Sequence, residues 1–288
     1  MSETYDIQFM QKHINGFENK SVLVTGATGF FGSWMSRAIA PKCNLWTCGH
    51  DNLNDLLKRN YDYIFHFAPT PIEPVIECAK RSNAKILYAS SGAVYGTLHE
   101  KATEDMLYNT RNDYAIEKAR SELVLRRSGV DYCIARLFAF CGTGMKNHFA
   151  ITAFVDAVKN NKPLIVYSHS VRTYMYIADA IVWLCKLIQS ENGIYNVGGN
   201  REITIDKLAM RVASYVVPPA EVIESDKVFI DPQPYYVPDC SKAEDLGLQR
   251  HFTLEYGIRQ MLEFRSRCDE CEFFGDIDRT NCIECDKE

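Results

Sequence analysis

Tyr114 and Lys118 form the first candidate catalytic pair. They lie at positions i and i+4 of a helical pattern that runs from Asp113 to Arg127, so a helix would carry both side chains on one face, one turn apart. A phenol with its ordinary pKa near ~10 is a poor base at neutral pH, but a neighbouring ammonium favours the phenolate. The pair therefore predicts proton transfer to or from a hydroxyl. Because the spacing is common on surface helices, it needs support from other residues.

A glycine-rich turn supplies the second signal. It follows the short apolar run 21–25 and precedes a helical pattern, and it reads Thr25-Gly26-Ala27-Thr28-Gly29-Phe30-Phe31-Gly32. The glycines allow the backbone to turn tightly and to approach a pyrophosphate, which then lies at the positive end of the helix. The turn therefore predicts a dinucleotide site.

Asp51 lies nineteen residues beyond Gly32, near the spacing at which a carboxylate binds an adenosine ribose. No arginine follows it to neutralise a 2′-phosphate, so the sequence favours NAD, with NADP the less favoured cofactor. The neighbouring His50 could shift this register by one residue, and a solvated loop carboxylate is the alternative interpretation of Asp51.

Ser91 supplies the third signal. It stands in the segment Ala89-Ser90-Ser91-Gly92-Ala93-Val94-Tyr95-Gly96, directly after an apolar strand pattern. This position puts its hydroxyl at the carboxyl edge of a parallel sheet, where open α/β sheets bind their ligands.

The glycine turn, Ser-Ser-x-x-Val-Tyr-Gly and Tyr-x-x-x-Lys, in this order, resemble the extended short-chain dehydrogenases of the NAD-dependent epimerase/dehydratase family, which act on nucleotide sugars. The resemblance runs from about Lys20 to Arg265. It implies that Ser91 hydrogen-bonds the reacting sugar oxygen, that Tyr114 is the acid/base, and that Lys118 lowers the tyrosine pKa and holds the nicotinamide ribose. Hydride would pass between a sugar carbon, usually C4, and the nicotinamide. The implied cofactor contacts are Gly26, Thr28, Gly29, Phe30, Phe31, Gly32, Asp51, Ala68, Ser90, Tyr114 and Lys118.

The resemblance also implies three substrate contacts besides Ser91. Arg172 resembles the arginine that clamps the substrate diphosphate, a role suited to its planar donor fork, and a surface ion pair is the alternative. Asn147 and His148 align with a segment that often touches substrate, although a histidine beside a phenylalanine is also common as a packed or capping residue.

One departure from the family narrows the set of possible reactions, and a second concerns the dimer. Gly92 and Ala93 stand where dehydratases carry an Asp-Glu pair and where decarboxylases carry a carboxylate. An epimerase or a 4-ketoreductase therefore remains the main hypothesis. The alternatives are a dehydratase-like or decarboxylase-like enzyme with displaced acid/base residues, or a scaffold that binds the dinucleotide without turnover.

The stretch between His66 and Ser90 is short, and the family usually builds its dimer interface there, so a homodimer is left open.

Four cysteines lie within the last 21 residues, as Cys268-x-x-Cys271 and Cys282-x-x-Cys285. Two such pairs can present four thiolates tetrahedrally to a structural zinc ion. The ten-residue gap between them is shorter than the commonest zinc pattern, so a loose, reduced tail is the alternative.

The elements that must position these residues alternate strand and helix, which predicts a doubly wound parallel Rossmann sheet of α/β class. Only about ten residues separate Asp51 from Tyr61, so we expect an edge strand to be missing. The predicted strands are 21–25, 44–48, 63–67, 85–89, 131–137, 164–167 and 194–197, and the predicted helices are 33–40, 73–81, 113–127, 150–160 and 177–189.

The predicted organisation has four parts. Residues 1–19 form an N-terminal extension, 20–145 with 170–198 the NAD-binding domain, 146–169 with 199–266 a smaller substrate lobe, and 267–288 the cysteine-rich tail.

Composition excludes several classes of function. The net charge is −5 and no run of Lys and Arg exceeds two residues, which argues against nucleic acid as a partner. No apolar stretch reaches the roughly 20 residues of a membrane span, and residues 1–20 lack the apolar region of a signal peptide. The sequence therefore predicts a cytoplasmic protein.

Overall fold

A six-stranded parallel sheet forms the centre of the molecule. The structure, a computed structural model, describes residues 3–49, 53–146, 149–226 and 233–264. The sheet contains β1 (Ser21–Thr25), β2 (Asn44–Cys48), β3 (Tyr63–His66), β4 (Lys85–Ser91), β5 (Tyr132–Leu137) and β10 (Gly193–Val197). Its strand order is β10-β5-β4-β3-β1-β2, and every pairing is parallel.

Alternate strand residues face opposite sides of this sheet, as the two-residue period of a strand requires. In β1, Val22 and Val24 belong to one buried cluster and Leu23 to another. In β3, Ile64 and Phe65 divide in the same way. Both faces are apolar, so both must be covered by helices.

Helices cover the two faces. One layer contains α1 (Glu3–His13), α2 (Phe30–Ile39) and α7 (Ile177–Leu187), which contact each other. The other contains α3 (Leu53–Leu56), α4 (Glu73–Ser82) and α5 (Asp113–Arg127), and the cluster on that face includes residues of all three helices. The predicted doubly wound α/β class is therefore confirmed.

The remaining described elements form smaller sheets and helices beside the main sheet. The strands are β6 (Phe140–Cys141), β7 (Leu164–Val166), β8 (Val171–Thr173), β9 (Met175–Tyr176), β11 (Glu202–Thr204), β12 (Val222–Glu224) and β13 (Tyr235–Tyr236). The helices are α6 (Ala150–Lys159), α8 (Ile205–Ala213), α9 (Ser241–Glu244) and α10 (Leu254–Glu263), with 3-10 helices at Ala40–Lys42 and Gly92–Tyr95. Three separate sheets have the orders β11-β8-β13, β12-β7 and β6-β9.

Two findings refine the predicted elements. Strand β2 is the edge of the main sheet, and among the described residues only the four-residue helix α3 lies between β2 and β3, as the expected missing edge strand requires. The run predicted at 164–167 does form a strand, but β7 pairs with β12 outside the main sheet.

Helix α1 was not predicted within the N-terminal extension. Met10, Ile14 and Phe17 of this segment are fully buried in the core between α1 and the sheet. The carboxylate of Asp6 is also buried, and it accepts hydrogen bonds from the phenols of Tyr176 at 2.6 Å and Tyr256 at 2.7 Å. The extension is thus an integral part of the fold. Among the helices of the described ranges, none is long and apolar enough to span a membrane.

Candidate active site

The glycine turn and Ser91 lie at the carboxyl edge of the main sheet, because parallel strands end at the same edge. Strand β1 ends at Thr25, which is paired with His66 at the end of β3. Strand β4 ends at Ser91, which is paired with Leu137 at the end of β5. The glycine turn after β1 and the serine after β4 therefore open onto one edge.

The glycine turn has the geometry of a dinucleotide cradle. Gly26 has φ +69°, and a Cβ there would lie 2.8 Å from the backbone nitrogen of Ala68. A Cβ on Gly32 would lie 2.1 Å from the carbonyl oxygen of Gly26. Helix α2 begins after Gly29 without a side-chain cap or an acidic residue in its first turn, so its amide groups suit an anion.

The other predicted cofactor contacts surround this turn. Thr28 is exposed, and the ring of Phe31 packs against that of Phe30 with 5.4 Å between ring centres. Ala68 is buried and donates its N–H to Thr25 Oγ1 at 3.3 Å. Ser90 directs its hydroxyl away to Glu122, so its place beside a cofactor stays a prediction.

Ser91 is the last residue of β4 and caps the short helix Gly92–Tyr95. Its Oγ accepts a hydrogen bond from the N–H of Ala93 at 3.1 Å. The side chain is nearly buried, with 8% of the residue exposed. An oxygen that already accepts from the backbone keeps its own proton available for a ligand oxygen.

Tyr114 and Lys118 lie on α5, which begins where predicted because Asn112 caps it. The Asn112 Oδ1 atom accepts from the N–H of Ala115 at 2.8 Å. Tyr114 lies in the first turn with 57% of its surface exposed, and the Lys118 Nζ atom is 5.8 Å from the centre of its ring. The predicted pair therefore shares one helix face, as the i, i+4 spacing requires.

Lys118 is held by a hydrogen bond to the backbone and lies over the ring of Tyr88. Its Nζ atom donates to the carbonyl oxygen of Ala89 at 2.7 Å and lies 4.8 Å from the centre of the Tyr88 ring. Burial lowers the pKa of Lys118 from its ordinary 10.5 to about 8, although the carboxylates of Glu122 and Glu117 counteract part of this effect. At pH 7 the side chain still carries its charge. His66 stacks on Tyr88, and burial lowers the pKa of His66 to about 4, so the imidazole is neutral.

A buried ion pair supports α5 behind the candidate pair. The Glu122 carboxylate binds the Arg136 guanidinium through Nη2 at 2.8 Å and Nε at 3.1 Å, and both side chains are almost fully buried. It also accepts from the hydroxyls of Tyr108 and Ser90. Sequence reasoning missed Glu122, although its position at i+4 from Lys118, on the same helix face, is a usable signal.

Arg172 reaches the site from the small sheet β11-β8-β13. Its Nη1 atom donates to the carbonyl oxygens of Val171 at 2.9 Å and Gln233 at 2.8 Å. Its Cζ atom lies 5.6 Å from the ring centre of Tyr236, a buried residue that sequence reasoning also missed. The Tyr236 oxygen in turn lies against Gly92, the residue after Ser91, so one phenol has Arg172 over its ring and Gly92 next to its oxygen.

Seven predicted site residues lie outside the described residues: Asp51, Asn147, His148, Cys268, Cys271, Cys282 and Cys285. They remain predictions. Within the described ranges, no group of three or more His, Cys, Asp or Glu side chains could hold a metal ion.

The chain is similar to known proteins in sequence. Residues 72–198 match the model of the NAD dependent epimerase/dehydratase family. UDP-glucuronic acid decarboxylase 6 of Arabidopsis thaliana is 26% identical over 86% of this chain and 90% of its own length.

Two solved structures have the same fold. One is a UDP-N-acetylglucosamine 4-epimerase of Methanobrevibacter ruminantium in complex with UDP-N-acetylmuramic acid, with TM-score 0.77 and 22% identity over 85% of this chain and 98% of that one. The other is the UDP-glucuronic acid 4-epimerase of Bacillus cereus in complex with UDP-glucuronic acid and NAD, with TM-score 0.73 and 19% identity over 84% of this chain and 98% of that one. Together with the glycine turn and the Ser-Tyr-Lys set, the sequence matches support the resemblance to the NAD-dependent epimerase/dehydratase family of extended short-chain dehydrogenases, and the solved structures show that the chain has the fold of such enzymes.

Proposed function

We propose that this protein is an NAD-dependent nucleotide-sugar epimerase or 4-ketoreductase. The observation that supports the proposal is that Lys118, which lies 5.8 Å from the ring centre of Tyr114, donates to the carbonyl oxygen of Ala89 at 2.7 Å, two residues before Ser91 at the end of β4. The glycine turn after β1 opens onto the same sheet edge. A protein that only binds a dinucleotide has no physical need for a phenol poised next to a buried ammonium.

The residues of the turn fit a bound dinucleotide. Gly26 and Gly32 leave no room for a side chain, and the uncapped start of α2 offers backbone donors to a diphosphate. When bound, the nicotinamide supplies the acceptor and donor of two electrons for a sugar carbon, which we propose to be C4.

The three side chains then divide the proton chemistry. Tyr114 takes the hydroxyl proton on oxidation and returns it on reduction, at its Oη atom. The ammonium of Lys118, held by the carbonyl oxygen of Ala89 and 5.8 Å from the ring centre of Tyr114, is proposed to hold the nicotinamide ribose next to this phenol. Ser91 donates its hydroxyl proton to the sugar oxygen, since its Oγ atom already accepts from Ala93.

The substrate diphosphate is proposed to lie near Arg172. Its bonds to the carbonyl oxygens of residues 171 and 233 fix the guanidinium plane, and a fixed planar fork suits a diphosphate. Asn147 and His148 remain proposed substrate contacts. The related proteins reported above are named for UDP sugars, which supports uridine as the first base to test.

A lyase is the second candidate, because the Arabidopsis relative is named as a UDP-glucuronic acid decarboxylase. The site argues against it. Ala93 carries no carboxylate, and a Cβ on Gly92 would lie 2.7 Å from the Tyr236 oxygen and 2.8 Å from Phe138 Cζ. An acidic side chain at position 92 would therefore need both rings to move, so a lyase reaction would need its acid/base groups elsewhere.

The test is a panel of UDP-, dTDP-, GDP- and CDP-sugars and their 4-keto derivatives, followed by NADH absorbance and product NMR. Inversion at a sugar carbon without net change in NADH supports an epimerase, and NADH consumption with a 4-keto sugar supports a reductase. Loss of carbon dioxide from a UDP-uronic acid would favour the lyase. Tyr114→Phe is expected to abolish turnover, while the control Tyr5→Phe, at an exposed tyrosine of α1, is not. No turnover across the panel would favour the scaffold hypothesis.

We also propose that Cys268, Cys271, Cys282 and Cys285 hold a structural zinc ion. The proposal is supported by the spacing of the two Cys-x-x-Cys pairs. Four thiolate ligands leave no open position on the metal, so this zinc would take no part in the reaction.

A further inference from the structure

His13 and His251 form a pair of side chains that the candidate active site does not use. His13 ends α1, and His251 lies in the loop before α10. Both residues are exposed, and their ring centres are 5.2 Å apart. The ring of Phe9 packs against both, with its centre 4.1 Å from that of His13 and 5.0 Å from that of His251. Two segments that are far apart in sequence thus bring two imidazoles together.

Hydrogen bonds at the Nδ1 atoms fix both rings. His13 Nδ1 lies 2.8 Å from the carbonyl oxygen of Phe9, and His251 Nδ1 lies 3.2 Å from Asp179 Oδ1 of α7. The Asp179 carboxylate also accepts from the backbone N–H groups of His251 at 3.0 Å and Phe252 at 2.9 Å. Because a carbonyl and a carboxylate only accept, Nδ1 carries the proton in both neutral rings, and each Nε2 atom keeps a lone pair.

Metal-binding histidines are held in the same way in other proteins. They usually donate their second ring N–H to a carboxylate or a backbone carbonyl, which fixes the tautomer and the ring orientation and makes the ligand nitrogen more basic. Asp179 and the carbonyl of Phe9 supply one acceptor of each kind. Asp179 is only 1% exposed, so its carboxylate is a fixed support for the His251 ring.

The distance between the two rings fits one metal ion bound to both. A zinc ion binds an imidazole nitrogen at about 2.0–2.1 Å, which places it about 3.2 Å from the ring centre. Two rings on one ion therefore have centres about 5.2 Å apart at a tetrahedral angle and about 4.5 Å apart at a right angle. The 5.2 Å between His13 and His251 agrees with the tetrahedral arrangement.

We propose that His13 and His251 bind a divalent transition-metal ion, such as Zn²⁺ or Ni²⁺, through their Nε2 atoms, and that water fills its other positions. In the part of the chain that the structure describes, no third His, Cys, Asp or Glu side chain completes a group around them. With two protein ligands, this ion exchanges more readily than one held by four thiolates. It joins α1 to the segment before α10, and it is independent of the proposed reaction.

The first test is calorimetric titration of the purified protein with Zn²⁺. The wild type should bind one more exchangeable ion per chain than His13→Gln or His251→Gln. Both variants change exposed side chains, and any ion on the tail cysteines contributes equally to all three proteins. His99→Gln, at another exposed histidine, should bind as the wild type does. Equal numbers of ions in the wild type and in either variant of the pair, or no saturation below about 1 mM Zn²⁺, would overturn the proposal.

The second test measures stability. An ion that needs both histidines binds the folded chain and not the unfolded one, so it raises the free energy of unfolding. Added Zn²⁺ should therefore raise the urea midpoint of the wild type and of His99→Gln more than those of His13→Gln and His251→Gln. An equal rise in all four proteins would overturn the proposal.

Nitrogen NMR of the histidine rings tests the geometry directly. In the metal-free protein, at a pH where the rings are neutral, His13 and His251 should both carry the ring proton on Nδ1. Added Zn²⁺ should then shift the Nε2 resonances of these two residues and leave that of His99 unchanged. A proton on Nε2 in either ring of the pair, or a shift in only one of them, would overturn the proposal.

Discussion

Replacing Lys118 by Met is expected to stabilise the cofactor-free protein at neutral pH while it removes activity. Burial holds the pKa of Lys118 at about 8 in the folded protein, against the ordinary 10.5 of an exposed lysine. Each pKa unit corresponds to about 1.36 kcal/mol. The burial of the charged lysine therefore costs the folded protein about 3 kcal/mol. The lost hydrogen bond to Ala89 offsets about 1 kcal/mol. The net expected gain at pH 7 is therefore about 2 kcal/mol.

The cost of burying the Lys118 charge falls as pH rises. Below pH 8, Lys118 is protonated in both the folded and the unfolded chain, so the full cost is present. Between pH 8 and 10.5, the folded protein releases the proton while the unfolded chain keeps it, so the wild type gains stability as pH rises. The advantage of Lys118→Met should therefore shrink over this window.

The assay is urea unfolding of wild type and Lys118→Met at pH 7 and pH 9.5, without cofactor. Lys80→Met is the control, because Lys80 is an exposed lysine of α4 that pairs with Glu77. It should change stability little, and equally at both pH values. A Lys118→Met protein that is less stable than wild type at pH 7, or whose advantage is the same at pH 9.5, would contradict the buried-charge argument. Turnover of the variant should fall by about 10²–10⁴-fold.

Three further predictions concern other parts of the chain. Glu122→Gln leaves the Arg136 guanidinium buried without a countercharge, so it should lower the free energy of unfolding in urea by about 3–5 kcal/mol. A Glu122→Leu/Arg136→Met double variant should restore most of this stability. A loss under about 1 kcal/mol in Glu122→Gln would refute the prediction. Burial raises the pKa of Asp6 above its ordinary 3.8, so the folded protein favours the protonated carboxyl and the wild type loses this stabilisation as pH rises above 3.8. The free energy of unfolding of Asp6→Asn should therefore fall further below that of the wild type at pH 4.5 than at pH 7. Elemental analysis should find one zinc per chain, lost in Cys271→Ser with turnover retained; a metal-free wild type would favour the loose tail.

Local patterns were sufficient for the main sheet and for the elements that carry Ser91, Tyr114 and Lys118, whose joint catalytic role stays a prediction. The apolar run 21–25 and the turn after it depend on residues close in sequence, and α5 begins and ends at the predicted Asp113 and Arg127. Ser91 and Tyr114 could be found because each stands at a fixed distance from a strand end or from a lysine. Such signals require no knowledge of which distant segments meet.

Contacts between distant segments were beyond sequence reasoning. Tyr236 meets Leu137 across 99 residues, and nothing in the Pro-rich stretch around it shows which strand it will join. The strand β7 has the composition of a buried parallel strand, but its partner β12 could not be chosen from periodicity alone. Helix α1 did leave a signal, since Ile7, Met10 and Ile14, the last just past the helix, follow a spacing of three and four residues.

The hydrogen bonds of Asp6 bear on how the protein can be made. Helix α1 leaves the ribosome well before its main packing partner α7, which ends at Leu187. The second phenol that donates to the Asp6 carboxylate, that of Tyr256, is 250 residues further along the chain. Helix α2 can cover part of α1 early, but the face that packs on α7 stays uncovered until α7 is made, and an unpaired apolar surface is open to aggregation or to a chaperone. A chain whose synthesis stops before α10 would also lack one donor to a buried carboxylate. Complete hydrogen bonding of the buried Asp6 carboxylate thus depends on helix α10, far along the chain from α1.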